Sequence, residues 1–171
     1  MELISNGHFF NPTKGELTLE ETIKEIFSYM SAKPEKFYNI IVGCDSPSEE
    51  EPHFPLAIVV LRTGEGGRFF LKKIKYAPSE KKFPNFKMRI LEEVCLSCQL
   101  ALELREVLKE REAKFPSNLN YQFRHIHADI SETGDTRDMI RQVTGLIIGN
   151  GFEPKIKPES YAASVVADRF T

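Results

Sequence analysis

Hydrophobic positions along the first part of the chain recur with the spacing of a helix. Thr18 to Glu21 has the form of a capping box, and apolar residues then repeat every three or four positions as far as Met30. Pro34 lies just beyond this segment, where a helix is expected to have ended. The pattern therefore predicts a helix that follows an irregular lead-in over residues 6–15.

Three apolar runs come next and have the composition of β-strands. They cover residues 37–44, 55–62 and 68–76. The first is apolar on both faces, which is typical of a central strand. Gly64 to Gly67 forms a tight-turn signal between the second and third runs, so an antiparallel hairpin is predicted there.

Helical and strand patterns alternate in the rest of the chain. The predicted elements are a long helix over 86–111, a strand over 121–130, a helix capped by Asp135 or Thr136, a short strand over 152–157 and a helix from Pro158 to Asp168. In the strand over 121–130, residues Tyr121, Phe123, His125, His127 and Asp129 alternate with the others and are expected to share one face.

This order of elements predicts an α/β fold with a mixed five-stranded sheet flanked by helices. The first three strands are expected to be antiparallel, because short connections join them. The strand after the long helix can return parallel to the first through a right-handed crossover. Asp45 and Asp129, near the ends of those two strands, would then be neighbours.

Three acids lie at the ends of otherwise apolar elements: Asp45, Asp129 and Asp168. A carboxylate at the end of a buried strand is costly unless a positive charge lies beside it, and a divalent metal ion often supplies that charge. Taken singly, Asp45 is explained equally well as the cap of the Asp-Ser-Pro turn, and Asp168 as a surface residue at a fraying helix end. Together the three acids indicate a metal site.

The composition is that of an ordinary globular domain, and its charges are segregated. The 171 residues are 41% hydrophobic and 28% charged, with a formal net charge of −2. This balance argues against an avid, non-specific nucleic-acid binder. Lysines are concentrated over residues 72–82, whereas Glu49 to Glu51 form an acidic cluster. The lysine run is interpreted either as an exposed strand edge or as a surface that follows a nucleic-acid backbone.

The chain shows no sign of export or membrane insertion. It lacks an apolar run of roughly 20 residues that could span a bilayer, and its first residues do not resemble a signal peptide. A cytoplasmic protein without a membrane partner is expected. Cys95 and Cys98 are spaced as a C-x-x-C motif, but no second pair accompanies them, so two buried thiols on the core face of the long helix are expected.

Several motifs resemble those of the YkuK-like bacterial proteins, a family predicted to be related to ribonuclease H. They are the segments Asn11–Gly15, Ile40–Ser46, His127–Asp129 and, most specifically, Gly149–Thr171. The resemblance covers almost the whole chain. It implies a ribonuclease H-like domain over residues 37–171, preceded by a lead-in and helix over 1–36 that pack on the core.

The resemblance also implies a nuclease that uses two Mg²⁺ or Mn²⁺ ions to direct water onto a phosphodiester. Asp45 would bridge both metals, Asp129 and Asp168 would each complete one metal site, and Glu93 is the proposed helix carboxylate, with Glu92 as the alternate. Hard cations of this kind prefer carboxylate oxygens. The expected substrate is RNA, an RNA–DNA hybrid or structured DNA.

Other polar residues near these acids are candidates for binding the substrate. They are Ser46, His127, Lys155, Lys157 and Ser160. A satisfied, partly buried histidine and solvated lysines are the alternative explanations for His127 and the two lysines.

Two other functions are compatible with this order of elements. One is a non-catalytic module with the same fold that binds nucleic acid or a protein partner. The other is an ATPase of the sugar-kinase and actin type, which needs glycine-rich phosphate loops that Ser46 to Glu49 does not provide. The sequence does not specify an oligomeric state.

Overall fold

A computed structural model describes residues 6–47 and 52–162 of the chain. In these residues the strands are β1 (Phe9–Asn11), β2 (Gly15–Leu17), β3 (Phe37–Cys44), β4 (His53–Arg62), β5 (Gly66–Lys75), β6 (Asn120–His127) and β7 (Glu153–Lys155). The helices are α1 (Leu19–Ala32), α2 (Phe86–Lys114) and α3 (Ile140–Gly149), and a 3-10 turn (Arg137–Met139) precedes α3.

The strands form one mixed sheet in the order β2-β1-β5-β4-β3-β6-β7. β3, β4 and β5 are antiparallel neighbours, whereas β6 is parallel to β3 and β7 is parallel to β6. The predicted α/β class and mixed sheet are therefore confirmed. The predicted number of five strands was too low, because β1 and β2 extend the sheet beyond β5.

The two additional strands form a hairpin that Asn11 organises. Its Oδ1 accepts hydrogen bonds from the backbone N–H groups of Thr13 and Lys14, both at 2.9 Å, and its Nδ2 donates to the carbonyl of Phe69 in β5 at 3.0 Å. Gly15 completes the turn with a φ of 76°, which favours glycine. Strands of three residues are too short to show a hydrophobic alternation, so the sequence pattern indicated only an irregular lead-in.

The helices pack on one face of the sheet and form the main apolar core with it. Ile40 and Val42 of β3 belong to this core, whereas Ile41 lies in a smaller cluster that includes Ala57 and Ala162. The predicted start of α1 is confirmed, because Thr18 Oγ1 accepts a hydrogen bond from the N–H of Glu21 at 3.1 Å. Within residues 6–47 and 52–162, no helix combines the length and apolarity that crossing a membrane requires.

A β-bulge interrupts the pairing of β3 with β6. The consecutive residues Ile40 and Ile41 of β3 pair with Phe123 and His125, so Arg124 is an extra residue in β6. An extra residue reverses the faces to which all later side chains of a strand point.

The bulge makes one expectation from the sequence wrong. Tyr121 and Phe123 pack against the main core, and beyond the bulge Ile126 takes that position. His127 instead contacts Tyr161 and the backbone of residue 162. The histidines therefore do not share a face with the aromatic residues of the same strand.

Two further side chains differ from the expectation. Cys98 is buried but Cys95 is exposed, so the two thiols do not both face the core. Lys72 is 6% exposed and donates a hydrogen bond to the carbonyl of Asn6, because the segment that includes β1 lies beside β5. The lysine run is therefore not a fully exposed strand edge.

Leu104→Ala is expected to lower the free energy of unfolding by about 2–5 kcal/mol, because Leu104 of α2 is fully buried in the main core and its truncation leaves a cavity. Ile148→Ala in α3 is the control, since Ile148 is 62% exposed; its effect should stay within about 0.5 kcal/mol. Chemical denaturation measures both, and equal effects would contradict the assignment of the core.

Candidate functional site

Three parallel strands end at the same edge of the sheet and bring polar residues together there. The last paired residues of β3, β6 and β7 are followed, one or two positions later, by Asp45, Asp129 and Lys157. Asp45 and Asp129 were expected to be neighbours for this reason. The lysine is a third member of the group.

The backbone beyond β7 sets Lys157 beside Asp129. Its N–H donates to the carbonyl of Ile130 at 2.9 Å, which continues the parallel pairing past the end of the strand. Lys157 Nζ lies 2.8 Å from Asp129 Oδ1. The close contact with the Asp129 carboxylate raises the pKa of Lys157, and the negative charges of Asp45 and Glu93 raise it further. Three carboxylates therefore act on one ammonium group.

Glu93 reaches the end of β3 from the second turn of α2. Its Oε1 accepts hydrogen bonds from the N–H of Ser46, at 2.7 Å, and from the Ser46 hydroxyl. The side chain is almost fully buried, with 4% of the residue exposed. Burial raises the pKa of Glu93 to about 7, the charge of Asp129 adds to this effect, and the hydrogen bonds from Ser46 oppose it.

Glu92, the neighbour of Glu93 in sequence, has different partners. Tyr76 donates its hydroxyl to Glu92 Oε1 at 2.6 Å, and Lys81 Nζ lies 2.6 Å from Oε2. Burial, together with the bond to Glu92, raises the pKa of Tyr76. Both oxygens of Glu92 are thus engaged away from Ser46. This geometry favours Glu93 as the helix carboxylate of the candidate site.

Cys44, the last residue of β3, lies among these acids. Burial raises the pKa of its thiol, and the charges of Glu93, Asp45 and Glu92 raise it further. The buried thiol is a neutral neighbour of the acids. Sequence reasoning did not place Cys44 beside Glu93, or Tyr76 and Lys81 beside Glu92, because these contacts depend on how α2 crosses the sheet.

The other predicted substrate-binding residues are divided between buried and exposed positions. His127 is 3% exposed and Ser160 is 1% exposed. His127 Nδ1 accepts a hydrogen bond from the N–H of Ala162 at 3.1 Å, and burial lowers the pKa of His127 to about 4. His127 is therefore neutral and hydrogen-bonded within the fold, which is the alternative to substrate binding that the sequence left open. Lys155 Nζ lies 3.1 Å from a carboxylate oxygen of Glu159.

A small polar cavity lies on the sheet face that His127 lines. Its volume is about 210 Å³. His125 and Lys155 also line it, together with Asn39 and Gln122, whose side-chain amides are hydrogen-bonded to each other. The β-bulge creates this polar surface, because it turns both histidines away from the face of Tyr121 and Phe123 and onto the face of Gln122.

The described residues alone do not form a complete metal site. Among residues 6–47 and 52–162, no group of three or more His, Cys, Asp or Glu side chains is arranged to hold a metal ion. Asp168, the fourth predicted ligand, lies outside the described residues, as do Glu49 to Glu51. The described acids nevertheless have the donor chemistry of a site for a hard cation, since all are carboxylates that act on one positive charge.

Comparisons with known proteins agree on one family. A family model described as Ribonuclease H-like matches residues 21–171. YkuK of Bacillus subtilis (strain 168), described as an uncharacterized protein, is 26% identical over 171 residues, which cover 95% of this chain and 96% of YkuK. No solved structure matches the chain.

Glu93→Gln is expected to remove a pH-dependent loss of stability. The pKa of Glu93 is about 7 in the folded protein, against an ordinary value of 4.5. The folded state therefore binds more protons between these values, and its stability falls as the pH rises from about 4.5 to about 7. The free energy of unfolding of Glu93→Gln minus that of the wild type should rise over this window, by at most about 3 kcal/mol.

Urea denaturation in EDTA at several pH values tests this prediction. Glu106→Gln is the matched control, because this glutamate of the same helix is exposed, and its difference from the wild type should not change with pH. A difference for Glu93→Gln that is equally flat would show that the folded protein does not raise the pKa of this carboxyl.

Proposed function

Because the chain belongs to the ribonuclease H-like family, we propose that it is a divalent-metal-dependent nuclease that hydrolyses phosphodiester bonds. The observation that supports this proposal best is the ion pair of Asp129 with Lys157 at the carboxyl edge of the sheet, where the negative charges of Asp45 and Glu93 also act on the ammonium group. RNA, an RNA–DNA hybrid and structured DNA are the proposed substrates.

The proposed metal ligands are Asp45, Glu93 and Asp129, with Asp168 as a fourth. Carboxylate oxygens are the donors that Mg²⁺ and Mn²⁺ prefer, whereas zinc is more often held by imidazole and thiolate groups. Two such ions, when bound, would polarise the phosphodiester and promote ionisation of the attacking water. The raised pKa of Glu93 fits this assignment, because a buried acid near other acids lacks sufficient positive charge.

The neighbours of the acids have roles that follow from their contacts. Ser46 fixes the orientation of Glu93 through two hydrogen bonds to one carboxylate oxygen. Glu93, with a pKa of about 7, can hold or release a proton near neutral pH. Lys157 neutralises Asp129 in the absence of another cation, and its side chain, 46% exposed, can turn towards a substrate phosphate.

The residues that would contact the substrate differ in their suitability. Lys155 is 40% exposed and can reach a phosphate if its ion pair with Glu159 opens. His127 and Ser160 are buried, so we propose that they hold the backbone around residue 162 in place rather than contact the nucleic acid directly.

A non-catalytic module that binds nucleic acid or a protein partner is the second candidate. One observation favours it: Lys157 already neutralises Asp129 without a metal ion. A cation built into the fold removes part of the reason for the acids to recruit Mg²⁺. The two functions make opposite predictions for metal-dependent cleavage.

Asp45→Asn is expected to lower Mg²⁺- or Mn²⁺-dependent cleavage at least about 100-fold, the scale on which loss of one charge-stabilising group acts. Labelled RNA, RNA–DNA hybrid and branched DNA are the substrates to test. Asp138→Asn is the control, because Asp138 is exposed and paired with Lys87. Cleavage that survives in Asp45→Asn would refute the assignment, and no cleavage by the wild type would favour the binding module.

Lys157→Met is expected to tighten Mn²⁺ binding about tenfold, because the variant lacks the ammonium group that competes for Asp129. Lys155→Met, two residues away, is the matched control, since Lys155 pairs with Glu159 instead. Calorimetric titration with Mn²⁺ measures both variants. Equal affinities in the wild type and Lys157→Met would show that the lysine does not compete with the metal ion.

A further inference from the structure

A cleft of about 350 Å³ lies between the end of β5 and the start of α2. Two aromatic rings, two lysines and three prolines line it: Tyr76, Phe83, Lys81, Lys82, Pro52, Pro78 and Pro84. No residue of this lining is a proposed metal ligand. The cleft is therefore a separate surface whose chemistry combines aromatic rings with positive charge.

The aromatic part of the cleft is fixed to the core. The ring of Phe83 lies 5.0 Å from that of the fully buried Phe54 and 5.9 Å from that of Tyr76, measured between centroids. Tyr76 is also held by its hydrogen bond to Glu92. Proline has no backbone N–H and a restricted φ, so the rim is both apolar and stiff. A surface of this kind loses little conformational freedom when a flat ligand packs on it.

The two lysines that line the cleft give it positive charge, and one of them is paired. The residues from 76 to 93 include four basic side chains and three acids (Lys81, Lys82, Lys87 and Arg89; Glu80, Glu92 and Glu93), and Lys81 is paired with Glu92 and Lys87 with Asp138. Glu80 is engaged locally, since its carboxylate accepts a hydrogen bond from the N–H of Ala77 at 2.8 Å. Lys81 Nζ lies 5.3 Å from the centre of the Tyr76 ring, and Lys82 is exposed. A ligand that carries negative charge next to a flat ring matches this surface.

The cleft adjoins the carboxylate site, because consecutive residues of α2 contact the two surfaces. Glu92 binds Tyr76 and Lys81 of the cleft, and the next residue, Glu93, binds Ser46 of the site. The thiol of Cys44 is acted on by the charges of both glutamates. A polymer held in the cleft would therefore have neighbouring units close to the proposed ligands.

We infer that this cleft binds a single-stranded segment of nucleic acid, with a base against Phe83 or Tyr76 and its phosphate near Lys81 and Lys82. Base stacking on aromatic rings combined with lysine–phosphate contacts is the usual basis of single-strand binding. In a duplex the faces of the bases are already stacked on one another, so a blunt duplex would not use these rings. The inference rests on the proposed function, because it takes nucleic acid to be the polymer at the carboxylates.

Fluorescence anisotropy with a short labelled single-stranded RNA tests the inference. The full chain carries Asp45→Asn and is kept in EDTA, so binding is measured without cleavage. Phe83→Leu keeps an apolar side chain but loses the ring, and it should weaken binding at least about fivefold. Lys82→Gln should lower the slope of log K against log salt by about 0.7, as expected for one lost phosphate contact on a single strand.

The controls come from the opposite end of α2. Phe115→Leu and Lys114→Gln change an exposed ring and an exposed lysine there, and neither should affect binding. Lys82→Gln also distinguishes a loss of binding from a loss of folding. Lys82 is exposed, so its substitution should not unfold the protein, whereas Phe83 packs on Phe54.

Three outcomes would overturn the inference. They are unchanged binding in both Phe83→Leu and Lys82→Gln, equal affinity for the blunt duplex of the same sequence, and preferential binding of a proline-rich peptide. Failure of the proposed function gives a different result. The single strand would still bind in the cleft, but the wild type would not cut it with any metal ion.

Discussion

The candidate site depends on the parallel pairing of β3 with β6 and of β6 with β7. Parallel strands end on the same side of a sheet, so residues that are remote in sequence follow one another across that edge. This pairing places Asp45, Asp129 and Lys157 together, and α2, which connects β5 to β6, adds Glu93 from above the end of β3. If the register of β6 slipped by one residue, Asp129 would move away from Lys157 and the group would separate.

The charge balance of this edge explains why one of its members is a lysine. Glu93 is almost completely buried, and Asp129 is largely shielded from water. Carboxylates in such positions need either a proton or a nearby positive charge. The protein supplies both, because Glu93 has a raised pKa and Lys157 pairs with Asp129. A metal ion would replace the proton and the lysine, so metal binding, protonation of Glu93 and the position of Lys157 should be coupled.

The sequence predicted the features that follow from long hydrophobic patterns. The mixed sheet and the parallel pairing of the two strands that precede Asp45 and Asp129 followed from apolar runs and connection lengths. The hairpin around Asn11 escaped prediction because it is held by side-chain hydrogen bonds within strands of three residues. The bulge at Arg124 escaped as well, because His125 and His127 continue the alternation of Tyr121 and Phe123, and only the shift of apolar positions to Ile126 and Ala128 marks the extra residue. The pairing of Lys157 with Asp129 depends on backbone pairing beyond the end of β7.

Adjacent glutamates on one helix contact two different groups of residues over a short distance. Successive residues of an α-helix point about 100° apart. Glu93 therefore turns towards Ser46, whereas Glu92 turns towards Tyr76 and Lys81. A movement of the first turns of α2 would shift both glutamates together, because they are consecutive residues of one helix. The helix backbone is thus the physical connection between the aromatic cleft and the carboxylate group.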